Sequence, residues 1–274
     1  MPILRFPTRF WRKFPLLKIS KRKKFVISAF LLSLGLLLVE FIDIFHSYQG
    51  VIFLGVVCYL LSAWSLYEGL EGIEWFTVLV LPVIFTIGVG FFGFLLPASW
   101  LTKIFLIILY GLSIYILLLV GNIFSVAAIR TIQLLRSAHA VGFLFTLVTS
   151  FFLYDIIFSF RFSFWLNFLL VVIASFPLII QGLWSINLEK EISFKLWLYS
   201  FALSLVQGEM VIAFSFWPVT VAVGSLALVT SLYISLGLAQ QDLSQRLFSK
   251  TINEYFRVGA IVFLVIFFTT HWGG

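Results

Sequence analysis

The chain has 274 residues, of which 62% are hydrophobic and 11% charged, with a formal net charge of +7 and a mean hydropathy of +1.14. Soluble domains carry about 25% charged residues, so this composition excludes a soluble globular protein and predicts an integral membrane protein. Nucleic-acid binding is not indicated, because nine of the 18 basic residues lie in the first 24 positions, ahead of the long apolar runs.

The first 24 residues form a basic N-terminal segment. Segments rich in lysine and arginine stay on the cytoplasmic side of a membrane, so this one predicts a cytoplasmic N-terminus. A second interpretation adds binding to anionic lipid headgroups, because aromatic rings are interspersed with the charges and would lie at headgroup depth. The cations assigned to this contact are Arg12, Lys13, Lys21, Arg22, Lys23 and Lys24.

The remaining residues, 25–274, form a series of apolar runs of about 20 residues. Continuous runs indicate transmembrane α-helices, whereas a membrane β-barrel needs shorter segments of alternating hydrophobicity. The sequence therefore predicts an all-α polytopic bundle, a single transmembrane domain with eight or nine spans. The predicted spans are 25–45, 50–67, 75–96, 104–123, 140–158, 164–184, 196–217, 219–238 and 257–271, and an earlier start is an alternative for the short last one.

The distribution of basic residues predicts the orientation of these spans. With a cytoplasmic N-terminus and nine spans, sixteen of the 18 lysines and arginines lie on the cytoplasmic side, and only Lys103 and Arg161 lie outside. This asymmetry is what the positive-inside rule requires. We therefore expect a plasma-membrane protein with its N-terminus in the cytoplasm and its C-terminus outside.

The two longest connecting segments, 124–139 and 239–256, are both on the predicted cytoplasmic side. Each can be drawn as an amphipathic helix that lies on the membrane surface. In the second segment the apolar side of this helix consists of Leu247, Phe248, Ile252 and Tyr255.

An internal repeat is predicted from short matches that occur in the same order. Trp64-Ser65-Leu66 corresponds to Trp184-Ser185-Ile186, and Pro97, which ends the following span, corresponds to Pro218. Further matches at similar offsets are Ser113 with Ser231, Val141 with Val258 and, earlier, Asp43 with Asp155. The predicted repeats are residues 50–160 and 164–274, two four-helix units with the same orientation, an arrangement known from transporters. The alternative is chance, because short matches arise easily in a chain this rich in a few apolar residue types.

Glu209 is the main candidate for a functional residue, because a carboxylate at membrane depth is costly and is kept for a reason. It lies eight residues before Trp217, about 12 Å from the outer end of its span at 1.5 Å per residue. Ser200, Ser204 and Gln207 form a polar stripe on the opposite side of the same helix. We expect a helix with two polar sides to be enclosed by protein or by a cavity. Glu209 is then either a proton or cation site or a structural hydrogen-bonding group.

Three further acidic residues, Glu40, Asp43 and Asp155, lie near the outer ends of their spans. If these spans are neighbours, the three residues form an acidic cluster with Glu209. The alternative is that each simply faces the lipid headgroups. We predict no metal site, because the sequence has one cysteine and three histidines without ligand spacing, and no cofactor.

Two classes of function remain open on this sequence. The first is a transporter or permease with an intramembrane carboxylate. The second is a non-enzymatic scaffold or assembly subunit of an envelope complex, with a membrane protein or a second copy of the chain as its partner. An enzyme is not favoured, because the sequence lacks the recognised catalytic motifs and its loops are too short to carry a catalytic site.

Overall fold

A computed structural model describes residues 20–41, 44–97, 99–128 and 133–270, without the side chains of residues 41 and 44–47. These residues form nine α-helices and no strands. The helices are α1 (Lys21–Phe41), α2 (Ile44–Leu66), α3 (Glu74–Gly93), α4 (Trp100–Ala127), α5 (Leu135–Ser159), α6 (Phe164–Asn187), α7 (Phe194–Ser215), α8 (Val221–Leu243) and α9 (Ser249–Thr269).

The predicted all-helical class is confirmed by these elements. In the described part of the chain eight helices, α2 to α9, are long and apolar enough to cross a membrane. The remaining helix, α1, is also 21 residues long and begins with the basic residues Lys21 to Lys24. The chain is thus a multi-pass membrane protein by length and composition of its helices.

The predicted surface helix over residues 239–256 is wrong. Residues up to Leu243 complete α8, and α9 begins at Ser249, eight residues before the predicted start of the last span. Gln245 adopts a left-handed backbone conformation with φ of 56° between the two helices. The apolar residue Tyr255 belongs to α9, where its ring packs over Gly237 and lies 5.0 Å from the ring of Tyr233. Of the predicted apolar side, Tyr255 is therefore used for packing between helices, whereas Leu247 and Phe248 are exposed.

The other predicted surface helix, over residues 124–139, also has a different structure at both of its ends. Residues up to Ala127 extend α4, and residues from Leu135 begin α5. Residues 129–132, which include Arg130, lie outside the described residues.

The chain divides into two compact units, residues 1–138 and 139–274. In the first unit α1 packs against α2 and α4, and α3 packs against α2 and α4. The core between these helices is apolar, with Leu32, Leu36, Leu54, Leu79 and Ile114 almost fully buried.

In the second unit α6 packs most extensively against α7, and α8 packs against α6, α7 and α9. Two apolar clusters form the core. The first is centred on Tyr154, Val171, Val211 and Leu228, and the second on Ile179, Leu183, Leu196, Leu232 and Leu236. The last helix, α9, has only 6% of its apolar window buried.

The repeat of residues 50–160 and 164–274 stays a prediction, and its bounds differ from those of the two compact units, which divide the chain after residue 138. The pairs Trp64 with Trp184 and Ser113 with Ser231 lie on the second and fourth helices of their units, counting α5 as the first helix of the second unit. In the first unit, the Ser28 hydroxyl on α1 lies 2.7 Å from that of Ser65 on α2. In the second, a ring nitrogen of His139 on α5 lies 2.7 Å from the carbonyl oxygen of Ser185 on α6. Ser65 and Ser185 are matched positions of the predicted repeat.

Candidate intramembrane acidic site

Glu209 lies on α7, six residues before the helix ends at Ser215, which is about 9 Å from that end. Its side chain is exposed. Contrary to the prediction, the described residues of this chain do not enclose Glu209. The prediction that α7 as a whole is enclosed is also wrong. In its apolar stretch 33% of the residues are buried, compared with 61% in the apolar stretch of α3. Glu209 makes no hydrogen bond or ion pair with any residue in the described part of the chain.

The orientation of Glu209 follows from how α7 packs on α6. A Cβ atom at Gly208 would lie 2.6 Å from side-chain atoms of both Phe168 and Val172, so only glycine lets α7 sit this close to α6. This contact turns the Gly208 side of α7 inward. Gln207 is also fully buried. Because Gln207 and Glu209 are about 200° apart on a helix, burial of Gln207 leaves Glu209 on the outer side.

The polar stripe of Ser200, Ser204 and Gln207 is buried in the second unit. The serine hydroxyls of Ser200 and Ser204 donate to the carbonyl oxygens one turn earlier, at 2.7 and 2.6 Å. Gln207 Nε2 donates to Ser231 and Ser235 on α8, at 3.2 and 3.3 Å, and its Oε1 has no partner among the described residues. The stripe thus serves helix packing and makes no contact with Glu209.

Asp155 lies near the end of α5 and is buried. Its Oδ1 accepts a hydrogen bond of 3.4 Å from the Ser225 hydroxyl on α8. The structure therefore uses Asp155 to join α5 to α8 and does not bring it into contact with Glu209. Asp43, a further member of the predicted acidic cluster, lies outside the described residues.

Glu40 belongs to the first unit and pairs with a residue that the sequence analysis placed only in an outer loop. Its Oε2 lies 3.4 Å from Lys103 Nζ, which also donates to the Glu40 carbonyl oxygen at 2.9 Å. The Glu40 side chain is 2% exposed, and Oε1 has no hydrogen-bond partner among the described residues. Gly93 leaves the space that Oε1 occupies, because a Cβ there would overlap this oxygen. The signal for the pair was present in the sequence, since both residues lie at outer span ends.

The predicted contact of Lys24 with lipid headgroups is wrong. It is fully buried, and its Nζ donates to Glu68 Oε1 at 2.9 Å while lying 4.8 Å from the ring centre of Tyr67 and 5.8 Å from that of Trp64. Its ammonium group is therefore not available to a lipid headgroup. Lys21, 3.7 Å from Glu68, is partly exposed.

The other cations of the predicted lipid contact fall into two groups. Arg22 and Lys23 are exposed, and their contact with headgroups stays a prediction. Arg12 and Lys13 lie outside the described residues.

The pKa of Glu68 reflects these surroundings. Burial raises the pKa of this carboxyl, but the hydrogen bond and charge of Lys24, together with the charge of Lys21, outweigh it, so that the pKa lies below its ordinary value. Glu68 follows the end of α2 and lies outside the apolar helices.

A buried polar network also joins three helices of the first unit, and the sequence analysis did not find it. The Thr86 hydroxyl on α3 lies 3.2 Å from Cys58 Sγ on α2 and 3.0 Å from the Tyr110 hydroxyl on α4. All three side chains are almost completely buried. The network has the form of interhelical hydrogen bonding that holds transmembrane helices together.

The second unit contains a shallow groove of about 280 Å³ between α7, α8 and α9. Its polar groups are the hydroxyls of Thr230, Ser231 and Ser235, and none of the described residues that line it is acidic. Across the described residues, no group of three or more His, Cys, Asp or Glu side chains comes close enough to hold a metal ion.

Comparison with known proteins identifies a family for most of the chain. A family model described as a protein of unknown function, DUF5656, matches residues 59–269, from within α2 to the end of α9. The chain belongs to the DUF5656 family. No curated protein and no solved structure matches the chain. Family membership therefore brings no activity or partner with it, and arguments about function rest on the residues themselves.

Proposed function

We propose that the protein is a non-enzymatic subunit of a membrane assembly, and that a partner helix packs on the side of α7 that carries Glu209. The observation that carries this proposal is the exposed carboxylate about 9 Å inside an apolar helix. A carboxyl group that faces lipid within the hydrocarbon core is costly, and for a charged group the cost reaches about 2.5–3.5 kcal/mol at the centre on insertion scales. A partner that covers Glu209 and donates a hydrogen bond to it removes much of this cost.

The side of α7 around Glu209 has a composition typical of helix contacts. Ala202 and Ala213 are exposed and lie within about 40° of Glu209 on the helix. Small residues let two transmembrane helices approach closely, and polar side chains then form hydrogen bonds between them. Leu198 and Val206, 53% and 39% exposed, add apolar contact area on the same side. We call Leu198, Ala202, Val206, Glu209 and Ala213 the outer face of α7.

The transport interpretation rested in part on an enclosed Glu209, and this carboxylate is exposed instead. None of the described residues that line the groove in the second unit is acidic, and its walls are mostly apolar. A carrier that couples transport to protons or cations needs a charged or polar group in its pathway. The geometry thus favours an assembly subunit over a transporter.

The size of the protein in its own membrane tests the proposal. The full chain, expressed in its native host and extracted in mild detergent, should run as a complex whose protein mass exceeds the 31.3 kDa of one chain. Glu209→Leu should release the single chain, whereas Glu254→Leu, which removes an exposed carboxylate near the start of α9, should leave the complex intact. A wild-type protein that runs as a single chain, or a complex unaffected by Glu209→Leu, would contradict the proposal.

A further inference from the structure

We infer that the partner helix carries a lysine or arginine at the depth of Glu209, and that this cation forms an ion pair with the carboxylate on the outer face of α7. This inference rests on the proposed function. It adds the chemistry of the partner, which the proposed function leaves open.

The Glu209 carboxylate is stabilised best by a partner group that supplies both a hydrogen-bond donor and a positive charge. The other members of the outer face, Leu198, Ala202, Val206 and Ala213, offer no hydrogen-bond donor. A hydroxyl or amide of a partner would supply a hydrogen bond but no charge. A lysine or arginine supplies both, and such charge-assisted hydrogen bonds are about twice as strong as neutral ones.

A second copy of the chain is the alternative occupant of the outer face of α7. In a symmetric dimer through the outer face of α7, the two Glu209 carboxylates would meet each other, and like charges at one site repel. Among the described residues of the second unit, the exposed cations on helices are Lys195 on α7 and Lys250 and Arg257 on α9. Of these three, Arg257 lies closest to the C-terminal end of its helix and so comes nearest to the depth of Glu209. It lies 12 residues before the end of α9, about 18 Å from that end, compared with about 9 Å for Glu209 on α7.

This difference in depth matters because α7 and α9 run in the same direction, with the antiparallel α8 between them. Arg257 of a second copy would therefore lie nearly two helical turns from Glu209. Pairing of two second units through this face therefore leaves the carboxylate without a cation at its own depth, whereas a helix of another protein can carry one there.

The small residues near Glu209 leave space for a partner helix. Ala202 and Ala213 lie one turn or two on either side of Glu209 and on the same side of α7. Their small side chains let the backbone of a partner helix come close, so that a lysine or arginine on that helix lies beside the carboxylate. The apolar residues around the pair would exclude lipid and water from it.

The test uses the full chain in liposomes with a designed transmembrane peptide as the probe. The peptide is an apolar helix of about 20 residues with one lysine placed about 9 Å from its outer end. Two otherwise identical peptides carry leucine or glutamate at that position. Energy transfer between a dye on the peptide and a dye at an added C-terminal cysteine of the chain measures binding.

The wild-type chain should bind the lysine peptide about tenfold more tightly than the leucine peptide. Glu209→Leu and Glu209→Gln should both lose this preference, and Glu209→Lys should prefer the glutamate peptide. Glu254→Leu, the matched control, should behave like the wild type. Thermal melting of each variant identifies any that fails to fold, and the glutamine variant keeps the shape of the side chain.

Two outcomes would overturn the inference. The first is equal binding of the lysine and leucine peptides to the wild-type chain, or a lysine preference that persists in Glu209→Leu. The second is energy transfer between two labelled chains, without peptide, that depends on Glu209, because it assigns the outer face to a second copy. In either case a native complex that dissociates in Glu209→Leu would still support the proposed function, so the two failures are distinguishable.

Discussion

At the scale of single residues, the first unit compensates its buried charges with partners that are distant in sequence. Lys24 pairs with Glu68, and Glu40 pairs with Lys103, over separations of 44 and 63 residues. Such pairs do little for stability in water, but removing one partner of a buried pair leaves the other charge uncompensated. Each pair therefore ties two elements of the first unit together.

We expect Lys24→Met to lower the free energy of unfolding by about 1–2 kcal/mol, because Glu68 loses a charged hydrogen bond and the rings of Trp64 and Tyr67 lose the cation above them. The neighbouring Lys23→Met should change it by less than about 0.5 kcal/mol, since Lys23 is exposed. Thermal melting in detergent compares the two variants. Equal effects would show that the buried pair contributes nothing specific.

The same pair predicts a pH dependence. The pKa of Glu68 in the folded protein lies below its ordinary value, which is about 4.3 in an unfolded chain. Its stabilising contribution is therefore complete above that pH and is lost as the pH falls through the lower, folded-state pKa. Melting temperatures of the wild type and Glu68→Gln should converge as the pH is lowered through this range. Parallel curves for the two proteins would argue against the linkage.

At the scale of whole helices, Gly93 on α3 lies directly against the Glu40 carboxylate near the end of α1. We expect Gly93→Ala to destabilise the protein by about 1–2 kcal/mol, because overpacking displaces Glu40 from Lys103 and outweighs the better helix propensity of alanine. Gly224→Ala is the control, since its added methyl would find only ordinary contacts at 3.4 Å and beyond.

A double-mutant cycle separates this explanation from a general effect on α3. In the Glu40→Ala background the carboxylate that opposes the added methyl group is absent, and of the three atoms nearest to that methyl group only Leu106 Cδ2, at 3.1 Å, remains, so the cost of Gly93→Ala should shrink. Unfolding measured in detergent for the four proteins gives the coupling energy between the two positions. Additive effects would mean that Glu40 is not what opposes the methyl group.

The helices themselves could be predicted from the sequence, and the orientation of α7 could not. Runs of about 20 apolar residues have one stable solution in a membrane, which is a helix. Which side of a helix faces inward depends on packing against a neighbour, here the fit of Phe168 and Val172 against Gly208. The hydroxyls of Ser200 and Ser204 bond to carbonyl oxygens of their own helix. The burial of the polar stripe therefore does not determine what the opposite side of α7, which carries Glu209, contacts.

Partners of Glu40 and Lys24 were also missed, for a related reason. Glu40 and Lys103 lie on different helices, and Lys24 on α1 pairs with Glu68 in the connection after α2. The proximity of each pair follows from which helices are neighbours. The depth of Glu40 and Lys103 along their spans can be read from the sequence, but which helices are neighbours cannot. The acidic cluster was likewise inferred from depth alone, and Asp155 instead uses Ser225 on α8.

At the scale of the whole molecule, the orientation in the membrane stays a prediction from the asymmetry of basic residues. Reporter fusions after residues 130, 190 and 245 should be cytoplasmic, and a fusion after residue 274 should be external. The middle two positions fall in connections between helices, after α6 and after α8. An external signal at any of the first three positions would contradict the orientation.

The repeat is also a property of the whole molecule. We expect α2 to α4 of the first unit to superpose on α6 to α8 of the second, because in each unit the second helix packs on the third and the fourth packs on both. An experimentally determined structure measures this directly. Unrelated positions of the helices that follow Pro97 and Pro218 would show that the sequence matches arose by chance.

The sole cysteine of the chain, Cys58, is fully buried between α2, α3 and α4. A thiol reagent can reach its sulfur only when these helices separate. The rate of alkylation therefore measures how fast the first unit opens, without the need for a spectroscopic signal. Since no second thiol competes, a single mass shift of the intact protein reports the fraction of molecules that have opened.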